Sequence, residues 1–544
     1  MKKLLPICIA VVLCVFGTRV MAQMSYGGEP QSFKHTLSQN IPTVEIEALD
    51  VESLLAEDAS IEGKSHPLRI GVTKDVMYTN YNSGRIDLLP DGSKIWRLMF
   101  HMEGATFTSM NFSTFEIPNG AELFLYTPDR ETVIGKFTNA NLMEDGTFYP
   151  QEMPGDEIIV EYYEPANAAF AGKLVIDQIS QGYYDFFHIY EKDVEGGLGN
   201  AEGTCHPNAI CYDAEWHDQI QSVVCYTMTS GGYVYMCSGA MVNNTARDGK
   251  QYLLSANHCY EAGSWKFYFN YQATTCNGTN GSTIKTATGY TLKAKDNGDS
   301  SSDFMLVEIT GTINPNFNVF LAGWTNATTT PTNPTSCGAI HHPGGDIKKF
   351  SKPQNINNGS LGGYPKFWLA NWATATGATE QGSSGSPLFN KDKLIVGQLY
   401  AGSSSCTNPT GWDLYGKLSN SWTNNNTNDN SKKLKPWLDP NNTGATSLQG
   451  EYLNTVGINN YTQVVDALNV YPNPNNGQMT ISGSFSEGEG TCTVYDMMGN
   501  LVLNRNITLA PEFTLTLNQL TPGMYMLEIN GNDRTSRAKI IISK

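Results

Sequence analysis

Three side chains distant in the chain carry the types that amide cleavage needs. Ser384 stands in Glu380-Gln381-Gly382-Ser383-Ser384-Gly385-Ser386-Pro387-Leu388, a serine between glycines on a turn that can aim backbone N–H groups at one spot. His258 follows the apolar run Tyr252-Leu253-Leu254-Ser255-Ala256 and precedes Cys259, and Asp303 opens the run Phe304-Met305-Leu306-Val307. Singly these are ordinary features: a small-residue turn, a core histidine, a turn aspartate. Together they supply a nucleophile, a general base and a carboxylate to orient the base.

Their order, histidine then aspartate then serine, is that of the chymotrypsin-type proteases and not of subtilisin or the α/β-hydrolases. The surrounding block resembles the lysyl endopeptidases, bacterial Lys-specific serine proteases of chymotrypsin fold. The resemblance is carried by Met236-Cys237-Ser238-Gly239-Ala240-Met241-Val242-Asn243-Asn244-Thr245, Leu254 to Cys259, Asn270-Tyr271-Gln272, Ser302-Asp303-Phe304 and Ala339-Ile340-His341-His342-Pro343. It continues through Gly382 to Pro387, Asp413-Leu414-Tyr415-Gly416-Lys417-Leu418 and Trp437-Leu438-Asp439-Pro440.

The resemblance implies His258 as general base, Asp303 as its orienting partner, Ser384 as nucleophile, and the N–H groups of Gly382 and Ser384 as the oxyanion hole. It also implies disulfides Cys205–Cys406, Cys211–Cys276 and Cys237–Cys259, which leaves Cys225 with Cys337 as a fourth pair and Cys492 single. A thiol mechanism at Cys259 would need a free thiolate, which the bridge to Cys237 removes. The S1 carboxylate falls at Asp413. The position six residues before the nucleophile, where a trypsin-like pocket has its aspartate, is Ala378. A carboxylate at the pocket base attracts a cationic P1 side chain, and the family takes Lys there. Tyr400 stands where some relatives place a histidine beside the pocket, and the partner tryptophan is either Trp368 or Trp372.

The elements that must position these residues read as all-β. Residues 1–22 form a signal peptide: Lys2 and Lys3, an apolar run from Leu4 to Phe16, and a small-residue end at Val20-Met21-Ala22. Residues 23–200 are cysteine-free, with strand-like Ile95 to Phe100, Glu122 to Tyr126 and Glu157 to Tyr163, and turns at Pro90-Asp91-Gly92 and Pro118-Asn119-Gly120. They predict a β-sandwich that resembles a protease propeptide. Residues 194–204 are a Gly-rich connector, and Lys192 before Asp193 is the expected self-cleavage point. Residues 201–455 hold eight cysteines and predict a chymotrypsin-like double β-barrel. After a linker at 456–464, residues 465–544 predict a small β-sandwich.

That last block resembles the type IX secretion sorting domain through Asn469 to Pro474, Val494 to Gly499, Leu520 to Tyr525 and Lys539. The outer-membrane secretion machinery is therefore an expected partner, and the chain is expected outside the cell or on its surface.

Composition narrows the rest. Lys and Arg total 35 against 52 Asp and Glu, a net charge of −17, which argues against a nucleic-acid binder with its basic face. No cofactor or metal is expected: there is no CxxC or HExxH, His341-His342 reads as a structural turn, and Asp296-Asn297-Gly298-Asp299 as a solvated one. The expectation is a monomeric secreted endopeptidase cutting after Lys. The alternatives are a protease of broader Lys/Arg taste and an inactive protease-like surface binding protein.

Overall fold

The computed structural model describes residues 27–543 apart from 62–63, 144, 186–204, 298–300, 373–376, 425, 454–468, 483–487, 497–500, 511 and 532–533. The leader, the connector with Lys192, and the linker lie outside the described residues, as does Asp299.

The first block is a two-layer β-sandwich. One layer orders strands Thr43–Ile46, Lys94–Met102, Glu157–Glu164, Glu122–Tyr126 and Val133–Phe137 side by side. The other contains Leu68–Thr79, Lys173–Gly182, Phe107–Glu116 and Met153–Pro154. Apolar side chains fill the space between them, among them Trp96, Phe100, Phe112, Phe148, Val160 and Ile176, as alternation along facing strands requires.

This sandwich is not a detached module. The edge strand Leu68–Thr79 pairs antiparallel with Tyr233–Met241 of the next block, placing Val72 opposite Tyr233 and Leu68 opposite Met236. A single sheet thus runs from one block into the other, and neither edge is left bare there.

The second block has two mainly antiparallel sheets, each curling on itself. In the first, Val223–Ser230, Tyr233–Met241, Tyr252–Ala256, Ser264–Phe269 and Phe304–Ile309 are laced together by the bent pair Thr286–Thr288 and Tyr290–Asp296. Thr286–Thr288 pairs with Ser264–Phe269 and Tyr290–Asp296 with Phe304–Ile309, so one bent ribbon joins both edges. The bend is at Gly289, whose φ of +78 favours glycine. The second sheet closes likewise: Lys349–Ser351 and Pro353–Leu361, separated by one residue, join Gly338–His341 to Tyr364–Trp372. Between the barrels lies a shared core of Trp216, Leu254, Phe304, Trp324, Phe389 and Leu418. The double β-barrel is the architecture expected from the sequence.

Three disulfides link Cys205 to Cys406, Cys211 to Cys276 and Cys237 to Cys259. The fourth expected pair is not formed. Cys225 is buried among Leu68, Phe107, Tyr268 and Ile347, whereas Cys337 is packed in a different core with Ile356, Trp368 and Leu388. Both thiols serve as small apolar fillers.

Residues 458–544 form a separate unit. It has a three-stranded sheet (Asn469–Tyr471, Gln478–Ser482, Glu512–Thr516) and a four-stranded one (Gly488–Asp496, Leu501–Leu509, Gly523–Gly531, Arg534–Ile542) over a core that includes Ile481, Cys492, Val494 and Leu527. Among the described residues no helix is long and apolar enough to cross a membrane.

Candidate active site

His258 sits on a single turn that ends strand Tyr252–Ala256, clamped by the bridge from Cys259 to Cys237. Its ring Nδ1 lies 2.6 Å from Asp303 Oδ2, and its backbone N–H donates to Asp303 Oδ1 at 3.0 Å. One carboxylate therefore fixes both the ring and the main chain of the histidine. Asp303 has a φ of +57, a left-handed conformation that costs energy in a non-glycine residue and needs neighbours to hold it. Those neighbours come from the second barrel: Gln398 Nε2 donates to the carbonyls of Ser302 at 2.7 Å and Asp303 at 3.2 Å. Gly416 allows this approach, since a Cβ there would lie 1.8 Å from Ser302 O.

Ser384 arrives from the opposite barrel on a turn that glycine makes possible. Gly382 has φ +84, and a Cβ at that position would stand 2.8 Å from the carbonyl of His342. Ser238 of the first barrel ties the turn down, donating its Oγ to Gly382 O at 2.8 Å and its N–H to Ser384 O at 2.9 Å. His341 is sealed beneath, bonded to Ser383 Oγ at 2.7 Å and Ser351 Oγ at 2.9 Å. Burial, then the nearby positive groups, pull its pKa well below 6.5. It braces the turn as a neutral ring.

Near Ser384 lies Asp413, wholly buried. Asp413 Oδ2 accepts from Trp372 Nε1 at 2.5 Å, Thr379 Oγ1 at 2.8 Å and Ser404 Oγ at 2.6 Å. The tryptophan in contact is thus Trp372; Trp368 instead donates to Val396 O.

The chain's own Lys64 reaches this carboxylate. Its Nζ donates to Thr379 Oγ1 at 2.7 Å, Ser404 Oγ at 3.0 Å and Asp413 Oδ1 at 3.1 Å, and Ser384 Oγ donates to the Lys64 carbonyl at 2.8 Å. Burial lowers the Lys64 pKa and the Asp413 charge opposes that shift. With the serine hydroxyl turned to this carbonyl, His258 Nε2 is buried without a hydrogen-bond partner. Tyr400 lies edge-on to the His258 ring at 6.0 Å and stacks on Phe367 at 5.2 Å.

Sequence reasoning missed Lys64, Thr379 and Ser404. Thr379 could have been found from its place next to Ala378, just before the turn that carries Ser384. Nothing local marks Lys64.

Residues 199–416 match the family described as lysyl endopeptidase, C-terminal domain, and residues 469–543 match the secretion system C-terminal sorting domain. The chain carries a serine endopeptidase domain similar to the lysyl endopeptidases. A lysyl endopeptidase of Pseudomonas aeruginosa is 27% identical over 366 residues, which cover 63% of this chain and 77% of that protein. Among solved structures, the protease Anisep from Arthrobacter nicotinovorans is 18% identical with a TM-score of 0.27, covering 36% of this chain and 90% of its own. The HtrA-type protease AlgW with a tripeptide is 11% identical with a TM-score of 0.26, covering 61% and 96%. The sorting domain marks the chain for export, to the medium or the cell surface.

Proposed function

We propose that the chain is the precursor of an endopeptidase that cuts on the carboxyl side of Lys, with Ser384 as nucleophile, His258 as general base and Asp303 holding the base. In this reading Ser384 Oγ attacks the carbonyl carbon while His258 Nε2 takes its proton. Asp303 keeps Nδ1 protonated and stabilises the imidazolium, and the amides of Gly382 and Ser384 meet the developing oxyanion. His258 then protonates the leaving amine, and water releases the acyl group by the reverse route.

The observation that carries the specificity is the seating of Lys64. An ammonium has three N–H bonds, and Thr379, Ser404 and Asp413 offer three acceptors to it. Arginine is a different problem. Its planar fork pairs best with both oxygens of a carboxylate, yet Asp413 Oδ2 already accepts from Trp372, Thr379 and Ser404. Only Oδ1 is free to meet a guest, which suits a point charge. A substrate's Lys at P1 would take the place Lys64 occupies. The blocks at 23–200 and 465–544 fit a propeptide and a sorting domain flanking the protease.

An active-site phosphonylating reagent tests the machinery. The mature protein should take one label, on Ser384, and lose it in Ser384→Ala and His258→Ala. A label that persists in Ser384→Ala would refute the assignment.

A further inference from the structure

We propose that the Lys64–Ser65 peptide bond is a processing site cut within the same molecule, before any release of the N-terminal sandwich. The inference rests on the Lys-directed reading above and adds its first substrate. Lys64 lies on the connection between helix Val51–Ser60 and strand Leu68–Thr79, and both ends of that connection are anchored. Arg69, on the strand, pairs with Asp58 at 2.8 Å and Glu57 at 3.0 Å and donates to Leu54 O at 3.1 Å, all on the helix. The strand itself is paired to the first barrel. Fixing a reactive segment in advance removes the entropy cost of bringing it to the nucleophile.

More of Lys64 than its ammonium reaches the site. A blocking lysine would need its ammonium in the pocket and nothing more. Here the main-chain carbonyl of the same residue is also held against Ser384 Oγ, at 2.8 Å. Lys64 is buried while Ser65, on the leaving side, is exposed, so the amine formed there can be solvated.

The chemistry balances with one water. Ser384 Oγ bonds to the Lys64 carbonyl carbon as its proton moves to His258 Nε2. The Lys64 C–Ser65 N bond breaks and Ser65 N takes that proton. Water then opens the ester, leaving a carboxylate on Lys64 and a hydroxyl on Ser384. The cut frees neither piece. The upstream part stays joined through Thr43–Ile46, parallel to Lys94–Met102, and the downstream part through the shared sheet. The nicked precursor stays assembled, with the new Lys64 carboxylate still in the site.

The test is to refold the full-length chain over a wide range of concentrations, with a Lys-containing peptide added to parallel samples. Fragments are followed by intact mass and N-terminal sequencing, with Ser384→Ala as control. The proposal expects the first new ends to be Lys64 and Ser65, with a half-time independent of concentration, and none in Ser384→Ala. A rate that rises with concentration would overturn the intramolecular step. Cleavage of the added peptide with Lys64–Ser65 left intact would overturn the proposal and leave the Lys-directed reading standing. Failure to cut either would overturn both.

Discussion

The Lys64 ammonium and the Asp413 carboxylate meet 3.1 Å apart with side-chain exposures of 6% and 0%. A charge pair so removed from water is strong only while complete, because losing one partner strands the other, at a cost of about 3–5 kcal/mol. Asp413→Asn should therefore lower kcat/KM for Lys peptides by about 10²- to 10⁴-fold. The rate of covalent labelling at Ser384 should be nearly unchanged. Matched steady-state kinetics and labelling rates check this, and equal loss in both would place Asp413 in the folding of the site and not in recognition.

Asp303 bonds both the ring and the backbone of His258. Asp303→Asn keeps the shape but presents the wrong partner to Nδ1, favouring the tautomer that cannot accept the serine proton. A loss in kcat of about 10⁴-fold is expected at neutral pH, with the circular dichroism spectrum unchanged. A loss below tenfold would count against the base-orienting role.

The sandwich and the first barrel share a buried ion pair. Glu152 lies 2.9 Å from Lys266 Nζ, accepts from Thr227 Oγ1 at 3.1 Å and from the Tyr268 hydroxyl, with both charges sealed from solvent. Glu152→Gln leaves Lys266 buried and unpaired, so the full-length chain in a Ser384→Ala background should lose about 3–5 kcal/mol. The double change Glu152→Gln with Lys266→Met should recover most of it. Urea unfolding of the three chains gives the answer.

Stability should also depend on pH through Lys348. Burial pulls its ammonium from 10.5 to about 7, with Nζ donating to Ile220 O at 2.7 Å and Gln272 Oε1 at 3.1 Å, both neutral acceptors. Above about pH 7 the folded state releases this proton while the unfolded chain keeps it. The unfolded state thus binds more protons, and stability rises with pH until the unfolded lysine also titrates. In the Ser384→Ala chain the unfolding midpoint should climb from pH 7 toward about 10, and Lys348→Met should flatten the climb. A steeper climb in the variant would contradict it.

Much of the architecture was legible because its signals are local. Strand Glu157–Glu164 shows itself as an apolar run ended by turn residues, and the turn at Ser384 shows itself through its run of glycines and serines. What was not legible depends on contacts across the chain. Lys64 is one of 35 basic residues, and it acquires meaning only because Arg69 and a shared sheet hold it against Asp413, 349 residues away. The joining of Leu68–Thr79 to Tyr233–Met241 has no sequence mark either, since an edge strand and a paired strand have the same alternation. Cys225 and Cys337 misled for the same reason: eight cysteines suggest four bridges, and only packing tells which thiols are fillers.

The central claim, a triad cutting after Lys because of Asp413, is tested most directly by digesting a library of unstructured peptides with the mature enzyme. Every cleavage site is read by mass spectrometry beside a Ser384→Ala control. The account predicts cuts almost only after Lys, all absent from the control. Cuts after Lys and Arg alike, or cuts that survive Ser384→Ala, would contradict it.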